Sequence, residues 1–341
     1  MFKISILVVS LFVCVNANTF KDMLGHDVPL KKEIKDIQKI YASSPVLLYS
    51  LYVIDKEKIA GLNFPFYQGE AKYLDQKIID LPVLGGWFGK GRTPNSEMIL
   101  QVNPDVILVS EFTKRIGEQK IKDSLGNRDI PLVYLKSNTL EELVDSFSYL
   151  GKLTNQEEKA KKLQQYGTET LLLTKSIISQ VSKKPKVYYA EGKNGLQTEC
   201  HTSIHSELIN LAGGDNVHKC QVKNQFGKQT INFEQLLTYN PEIILVYDKE
   251  FYDNIYKNTQ WQHLKAVKNK QVYFLPKGPF SWFDRPPSFM KLLGLKWLLS
   301  IFHPNIYQLD IEKEAKSFYK LFLNMELSDK QLTEIMGKDI D

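Results

Sequence analysis

Apolar and polar residues alternate along this chain in the pattern of an α/β protein, and one such pattern occurs twice. Residues 93–109 align without a gap on residues 230–246, and nine of the 17 positions are identical. Each copy predicts a short helix, an Asn-Pro corner that cannot continue it, and an apolar run of strand length. The copies are much farther apart than the units of a repeat array, so they predict two similar α/β lobes with a cleft between them.

Further apolar runs of strand length lie outside the two copies. They occupy residues 131–135, 185–190 and 271–276, with helical patterns between them. This alternation favours mostly parallel sheets that carry helices on their faces.

The segment between the two lobes has a different pattern. Residues 154–181 contain no proline and one glycine, and Thr154 and Glu157 have the spacing of a capping box. The segment predicts a helix of about 40 Å, long enough to join two lobes. The predicted organisation is listed in chain order: a signal peptide at 1–17, a first lobe at 18–153, a bridging helix at 154–183, and a second lobe at 184–341 with a helical C-terminal extension.

The N-terminus predicts export. Lys3 precedes an apolar run at 4–13, and Val15, Asn16 and Ala17 suit cleavage by a signal peptidase. We therefore expect a periplasmic protein cleaved near Ala17. The alternative is a lipid anchor on Cys14, because the residues before it partly match a lipoprotein site.

Charge and cysteine content indicate which partners and which cysteine chemistry the chain can have. The net charge is +5, but basic and acidic residues are interleaved without a run of five basic residues, so nucleic-acid binding is not indicated. Once Cys14 is removed, Cys200 and Cys220 remain. In an oxidising compartment they could form a disulfide or stay as two buried thiols.

The chain resembles the periplasmic substrate-binding proteins of ABC importers whose two lobes are bridged by one long helix. The two copies, residues 195–216 and residues 261–273 carry the resemblance. It implies an α/β fold with two similar lobes, mostly parallel sheets and a ligand cleft between the lobes. It also implies a monomer without enzymatic activity or intrinsic cofactor, which carries a small-molecule metal chelate as cargo to an ABC permease dimer.

Glu97 and Glu234 occupy equivalent positions in the two copies. The resemblance implies that each docks onto arginines of one permease subunit, and charges at the rim of an interface steer docking. The alternative is that each only suits the first turn of its helix.

Loops at the carboxyl ends of the strands are expected to line the cleft. Arginine donors suit anionic oxygens, and aromatic rings cover flat or apolar faces of a chelate. The predicted ligand contacts are Trp87, Arg92, Tyr189, Lys193, Trp282, Phe283 and Arg285.

His201 and His218 are candidates for direct metal ligands, with ordinary packing as the alternative. Iron(III)–siderophore is the first ligand class, because it is the commonest in the family that the chain resembles. A nickel chelate follows, then haem, cobalamin or molybdate. The rival class is an exported chelatase-like enzyme, although the chain has none of the common hydrolase, zinc-protease or phosphate-loop motifs. A surface adhesin would need repeats or a stalk, which the chain lacks.

Overall fold

The computed structural model describes residues 18–66, 68–88, 93–111, 113, 118–126, 128–222 and 228–338. The predicted signal peptide, Cys14 and Arg92 lie outside these residues.

The first lobe is built on a parallel sheet. Its central strand, β4 (Val106–Ser110), is buried along its whole length and pairs in parallel with β3 (Ile40–Ala42) on one side and β5 (Leu132–Leu135) on the other. Ile40 also bridges in parallel to Ile59, outside the named strands. The elements are β1 (Thr19–Lys21), β2 (Asp27–Pro29), β3 (Ile40–Ala42), α1 (Pro45–Asp55), α2 (Gln68–Ala71), α3 (Gln76–Ile79), α4 (Ser96–Val102), β4 (Val106–Ser110), α5 (Glu118–Ser124), β5 (Leu132–Leu135) and α6 (Leu140–Thr154).

One helix, α7 (Glu157–Ile178), follows α6 and leads to the second lobe. Its 22 residues give a rod of about 33 Å. The helix contacts α6 on one side and α12 (Lys291–Phe302) on the other. A Cβ at Gly167 would lie 2.5 Å from a methyl carbon of Val144, so glycine permits the close approach of α7 to α6.

The predicted start of this helix is wrong. Thr154 is the last residue of α6, and its hydroxyl donates to Leu150 O at 2.8 Å instead of capping α7. Asn155 takes a left-handed conformation (φ 59°) that ends α6, and Gln156 caps α7 without a side-chain hydrogen bond. The helix that was predicted to start at Thr154 therefore starts at Glu157, after the left-handed turn at Asn155. It also ends earlier, at Ile178, so α7 is shorter than predicted.

The second lobe is built on a four-stranded parallel sheet. Its strands lie in the order β11 (Val272–Phe274), β10 (Ile243–Val246), β6 (Lys186–Ala190) and β8 (Asp215–Asn216). A short antiparallel ribbon pairs β7 (Gln197–Thr198) with β9 (Gln229–Thr230). The elements are β6 (Lys186–Ala190), β7 (Gln197–Thr198), α8 (Glu207–Leu211), β8 (Asp215–Asn216), β9 (Gln229–Thr230), α9 (Phe233–Tyr239), β10 (Ile243–Val246), α10 (Lys249–Asn254), α11 (Lys265–Lys268), β11 (Val272–Phe274), α13 (Ile311–Leu323) and α14 (Asp329–Ile335).

The two sequence copies fold as one unit used twice, as predicted. Asn95 and Asn232 cap the starts of α4 and α9 with their side chains. Asn103 (φ 51°) and Asn240 (φ 41°) end the two helices in the left-handed conformation. Asparagine tolerates this conformation better than most residues. Each unit then enters the central strand of a parallel sheet, β4 or β10.

The two lobes share one apolar core, which runs from the first lobe across α7 to α12 and α13. The rings of Tyr49 and Phe280 stack across the lobes with centroids 3.7 Å apart. Glu207 accepts a hydrogen bond from Leu140 N at 3.0 Å, which ties the second lobe to the start of α6. None of the helices within the described part of the chain has the length and apolarity that crossing a bilayer requires.

Candidate ligand-binding site

Buried charges cluster where the strands of the second sheet end. Glu191 follows β6, and Arg285 donates to it through Nε and to Glu199 through Nη2. Both glutamates are almost fully buried, whereas the Arg285 side chain keeps 18% of its surface exposed. Burial alone would lower the pKa of Arg285, but the carboxylates of Glu191 and Asp284 outweigh it and raise that pKa. The guanidinium is therefore charged, oriented by two acids, and still reachable from solvent.

Arg285 also has an unusual backbone. Its φ of 61° lies in the left-handed region, which costs a non-glycine residue on the order of 1–3 kcal/mol and is most often found at functional sites. The ion pairs with Glu191 and Glu199 hold the side chain in place.

A histidine belongs to the same cluster. His205 Nδ1 lies 2.7 Å from Asp284 Oδ2, and Asp284 is buried. Burial lowers the pKa of His205, but the Asp284 carboxylate outweighs it and the pKa is raised. The other carboxylate oxygen, Asp284 Oδ1, and the buried hydroxyl of Tyr189 have no hydrogen-bond partner among the described residues.

Two lysines border this cluster. Lys228 Nζ lies 3.3 Å from Glu191 Oε1. Lys277 Nζ lies 3.2 Å from the centroid of the Tyr247 ring and donates to Tyr247 O at 2.8 Å. Burial lowers the pKa of Lys277 to about 8. Neither lysine was predicted as a ligand contact, nor were Glu191 and Tyr247. The signal was available, because Tyr247 directly follows β10 just as Glu191 follows β6.

The corresponding edge of the first lobe has buried neutral polar groups among its described residues, while the charged Glu111 and Lys136 follow β4 and β5 and are only partly buried. Ser43 and Ser44 follow β3, and their buried hydroxyls have no hydrogen-bond partner within the described residues. Asn63 donates to Ala42 O and Gly85 O, both at 2.8 Å.

All four aromatic residues that were predicted to contact the ligand are packed inside the protein. The Trp87 ring lies 6.2 Å from that of Tyr41 and is 7% exposed, so it fills the core of the first lobe. Trp282 is fully buried and donates from Nε1 to the Tyr319 hydroxyl at 3.1 Å. The sequence predicts that Trp87 projects from its glycine-containing loop and that Trp282 lines the cleft, but apolar neighbours enclose both rings. The other two, Tyr189 and Phe283, are also buried and contact each other with ring centroids 4.8 Å apart.

Lys193 is exposed on another part of the second lobe. It lines a cavity of about 440 Å³ together with Phe233, Phe251 and Trp261. Of the predicted ligand contacts that the structure describes, Arg285 is the charged residue of the cluster at the strand ends.

The remaining candidates gather around a disulfide. Cys200 and Cys220 are joined, which is one of the two alternatives that the sequence leaves open. His201 Nδ1 accepts a hydrogen bond from Cys220 N at 3.3 Å. His218 is buried, with Nδ1 2.9 Å from the Tyr239 hydroxyl.

Comparisons with known proteins agree with this architecture. Residues 87–279 match the family described as periplasmic binding protein. The chain belongs to this family. It is also similar to an ABC transporter solute-binding protein from Sulfurospirillum deleyianum, with 38% identity, a TM-score of 0.85, and coverage of 94% of this chain and 99% of that one. A periplasmic solute-binding protein from Veillonella parvula is 25% identical with a TM-score of 0.77, covering 93% of this chain and 96% of that one. The high-affinity heme uptake system protein IsdE of Staphylococcus aureus is 28% identical over 218 residues, which are 61% of this chain and 71% of that protein.

The periplasmic binding protein family defines the general function. The chain is an extracytoplasmic solute-binding protein of an ABC importer. Its partners are a permease and a small-molecule ligand. It is a binding protein and not an enzyme, so the chelatase-like alternative is set aside.

Proposed function

We propose that this protein captures an anionic metal chelate between its lobes, with iron(III)–siderophores as the first ligand class, and delivers it to a permease dimer. The observation that carries the proposal is the convergence of Arg285, Lys228 and Lys277 at the carboxyl edge of the second sheet. Guanidinium and ammonium donors suit the anionic oxygens of such a chelate. His205, the histidine of this cluster, is already bonded to Asp284, which suits a metal that arrives with its own chelator.

Titration would test the ligand class. The tryptophans at 87, 261, 282 and 297 are all buried, and a coloured chelate bound nearby would quench their fluorescence. The panel consists of iron(III)–siderophores, haem, nickel(II) with and without histidine, and molybdate. Saturable one-to-one quenching by an iron(III)–siderophore supports the proposal, whereas silence with every siderophore contradicts it.

Variants would locate the site. Lys277→Gln and Lys228→Gln each remove one charge, and we expect about tenfold weaker binding for each (about 1.4 kcal/mol). Arg92→Ala tests the predicted contribution of the first lobe in the same way. Lys313→Gln, exposed on α13, is the matched control and should bind like the wild type. Unchanged affinity in both Lys277→Gln and Lys228→Gln would place the ligand elsewhere.

Haem is the second candidate ligand, because the IsdE proteins named for haem uptake share 28% identity with this chain over 218 residues. Haem added to the purified protein would develop a shifted Soret band at one equivalent if it is the cargo. If siderophores then fail to displace the bound haem, haem becomes the first ligand class and iron(III)–siderophore the second.

We further propose that Glu97 and Glu234 dock onto the permease. Both are exposed, and each lies in the first turn of the duplicated helix, α4 or α9. The double variant Glu97→Lys/Glu234→Lys should lower uptake in cells at least about tenfold, since a reversed charge repels the partner's cations, while ligand affinity stays unchanged. Glu158→Lys, exposed on α7, is the control. Normal uptake by the double variant would reject the docking role.

The proposed export route is cleavage near Ala17, with lipid attachment at Cys14 as the alternative. Mass spectrometry of the N-terminal peptide from exported protein separates them. A peptide that begins at Asn18 supports the first, and an acylated Cys14 supports the second.

A further inference from the structure

Two sulfur atoms and one imidazole meet beside the ribbon of the second lobe. One ligand atom from each of Cys200, His218 and Cys220 lies within 4.8 Å of the other two. The sulfurs are bonded to each other in this structure. Cys200 and His218 are buried, and Cys220 is partly buried. Thiolate and imidazole together are the donor set that Zn²⁺ and related soft cations prefer.

We propose that reduction of this disulfide creates a binding site for one thiophilic divalent cation, with Cys200, Cys220 and His218 as its ligands. A dithiol reductant transfers two electrons and two protons to the sulfurs, leaves two thiols, and itself becomes a disulfide. The cation then replaces the two thiol protons, which are released to solvent, and binds neutral His218. The disulfide therefore acts as a redox-controlled block on the site.

The surroundings already orient the imidazole. The Tyr239 hydroxyl lies 2.9 Å from His218 Nδ1 and fixes the ring, as an outer-shell partner does in metal sites. Nε2 is then the nitrogen available to a cation.

The side chain of Gln229 marks the place where the cation would bind. Its Nε2 donates to Cys200 Sγ at 3.2 Å, and its Oε1 lies 3.1 Å from His218 Nε2. One amide thus spans a sulfur and the ring nitrogen. Gln229 is only partly buried, so its side chain can turn aside or offer its oxygen as a fourth ligand.

This site uses none of the groups that carry the proposed function. The charged cluster around Arg285 contributes no ligand to it. The two proposals can therefore fail independently, since siderophore binding is measured on the oxidised protein and cation binding on the reduced protein.

The experiment is a titration of the purified protein with Cd²⁺, before and after reduction with a phosphine that is then removed without air. Thiolate-to-metal absorption reports sulfur ligation, and Co²⁺ in a parallel titration reports tetrahedral geometry. We expect one equivalent to bind after reduction and none to bind at the sulfurs before it. His218→Gln should weaken binding at least about a hundredfold and Tyr239→Phe about tenfold, the range found when an outer-shell partner is lost. His263→Gln, exposed on the surface, should match the wild type.

Three results would overturn the proposal. The first is a reduced protein that binds no Cd²⁺. The second is His218→Gln that binds as tightly as the wild type, because the cation would then need only the thiolates. The third is loss of the circular dichroism of the folded state on reduction, because the three ligands would no longer be held together.

Discussion

The two lobes share a plan but differ in the chemistry at their strand ends. If Ile59 is counted as a strand, the first sheet has the order Ile59-β3-β4-β5 and the second has the matching order β8-β6-β10-β11. The register agrees too, because Ile107 of β4 pairs with β5 just as Ile244 of β10 pairs with β11. Among the described residues beyond the strands, the buried polar groups of the first lobe are hydroxyls and an amide, whereas those of the second include ion pairs. The two lobes have therefore kept a common backbone while the buried groups at their strand ends differ.

The largest effect is expected from breaking the charged edge of the second lobe. Arg285→Ala leaves Glu199 buried without its ion-pair partner and Glu191 with Lys228 as its remaining cation, and should lower the free energy of unfolding by about 3–5 kcal/mol. The counterpart in the first lobe, Asn63→Ala, removes the amide donor from Ala42 O and Gly85 O, although the Tyr41 hydroxyl still donates to Gly85 O, and should cost about 1–3 kcal/mol. Urea unfolding of both variants measures the difference. Equal losses in the free energy of unfolding would show that removing the buried cation costs no more than removing the buried amide.

The disulfide provides the next largest contrast, because it belongs to the second lobe alone. Cys200 and Cys220 are 20 residues apart, and closing a loop of this size contributes about 3 kcal/mol by restricting the unfolded chain. The double variant Cys200→Ala/Cys220→Ala should lose that amount. A reductant should destabilise the wild type but leave the double variant unchanged, and a similar response in both would point to another target of the reductant.

A smaller effect is expected at the shared helix ends. Asn103→Ala and Asn240→Ala remove the polar side chain that lets asparagine adopt the left-handed conformation, while the backbone must keep that conformation. Each substitution should cost about 1–2 kcal/mol. We expect the larger loss for Asn240→Ala, because Asn240 Oδ1 also accepts a hydrogen bond from Lys265 N at 3.2 Å. Shifts in unfolding midpoint measure both losses, and Asn103→Gly is the control that should be close to neutral. Equal losses in the two lobes would show that this additional hydrogen bond does not contribute to stability.

The smallest effect concerns equivalent acids at the entry to each central strand. Asp105 accepts from Lys39 N at 3.0 Å, and Glu242 accepts from Lys186 N at 3.1 Å. The ammonium of Lys265 lies 2.8 Å from Glu242 and, together with that amide, lowers the pKa of Glu242 to about 2. Burial opposes the shift at Asp105, but Lys32 and the backbone amides outweigh it and lower its pKa as well.

Because folding lowers these pKa values, the stabilisation is present above pH 4.5, the ordinary value for Glu242, and is lost as the pH falls towards 2. Glu242→Gln and Asp105→Asn should each cost about 1 kcal/mol at neutral pH, since solvent screens such surface pairs. The difference from the wild type should shrink for both variants as the pH falls, and for Glu242→Gln it should be mostly lost at about pH 2. Urea unfolding across this range measures it, with Glu158→Gln as a control, and a difference that does not vary with pH would contradict the assignment.

Local patterns in the sequence predicted most of the fold. The two copies predicted α4 with β4 and α9 with β10, because the Asn-Pro corner limits the backbone in the same way each time. The start of α7 was mispredicted because Thr154 and Glu157 have capping-box spacing, yet Asn155 between them takes a left-handed conformation. Spacing alone does not reveal which residue reverses the chain.

The candidate site was harder to predict. Arg285 was identified from its residue type, but its partners Glu191 and Glu199 lie 94 and 86 residues away in the chain. The aromatic residues Trp87 and Trp282 were predicted at the cleft, because a ring that covers a ligand and a ring that fills a core look alike in one sequence. Tertiary packing decides between these two roles.

The shared core has a consequence for how the protein matures. Phe147 of the first lobe packs against Phe322 of α13 with ring centroids 6.2 Å apart, and Lys72 pairs with Glu334 of α14. A chain that leaves the membrane from its N-terminus thus delivers the first lobe long before the helices that cover it. During that interval its apolar face is exposed, and long-range contacts of this kind close slowly. The half-emerged protein is therefore the form that extracytoplasmic chaperones and proteases would meet, and the release of the last helix ends that exposure.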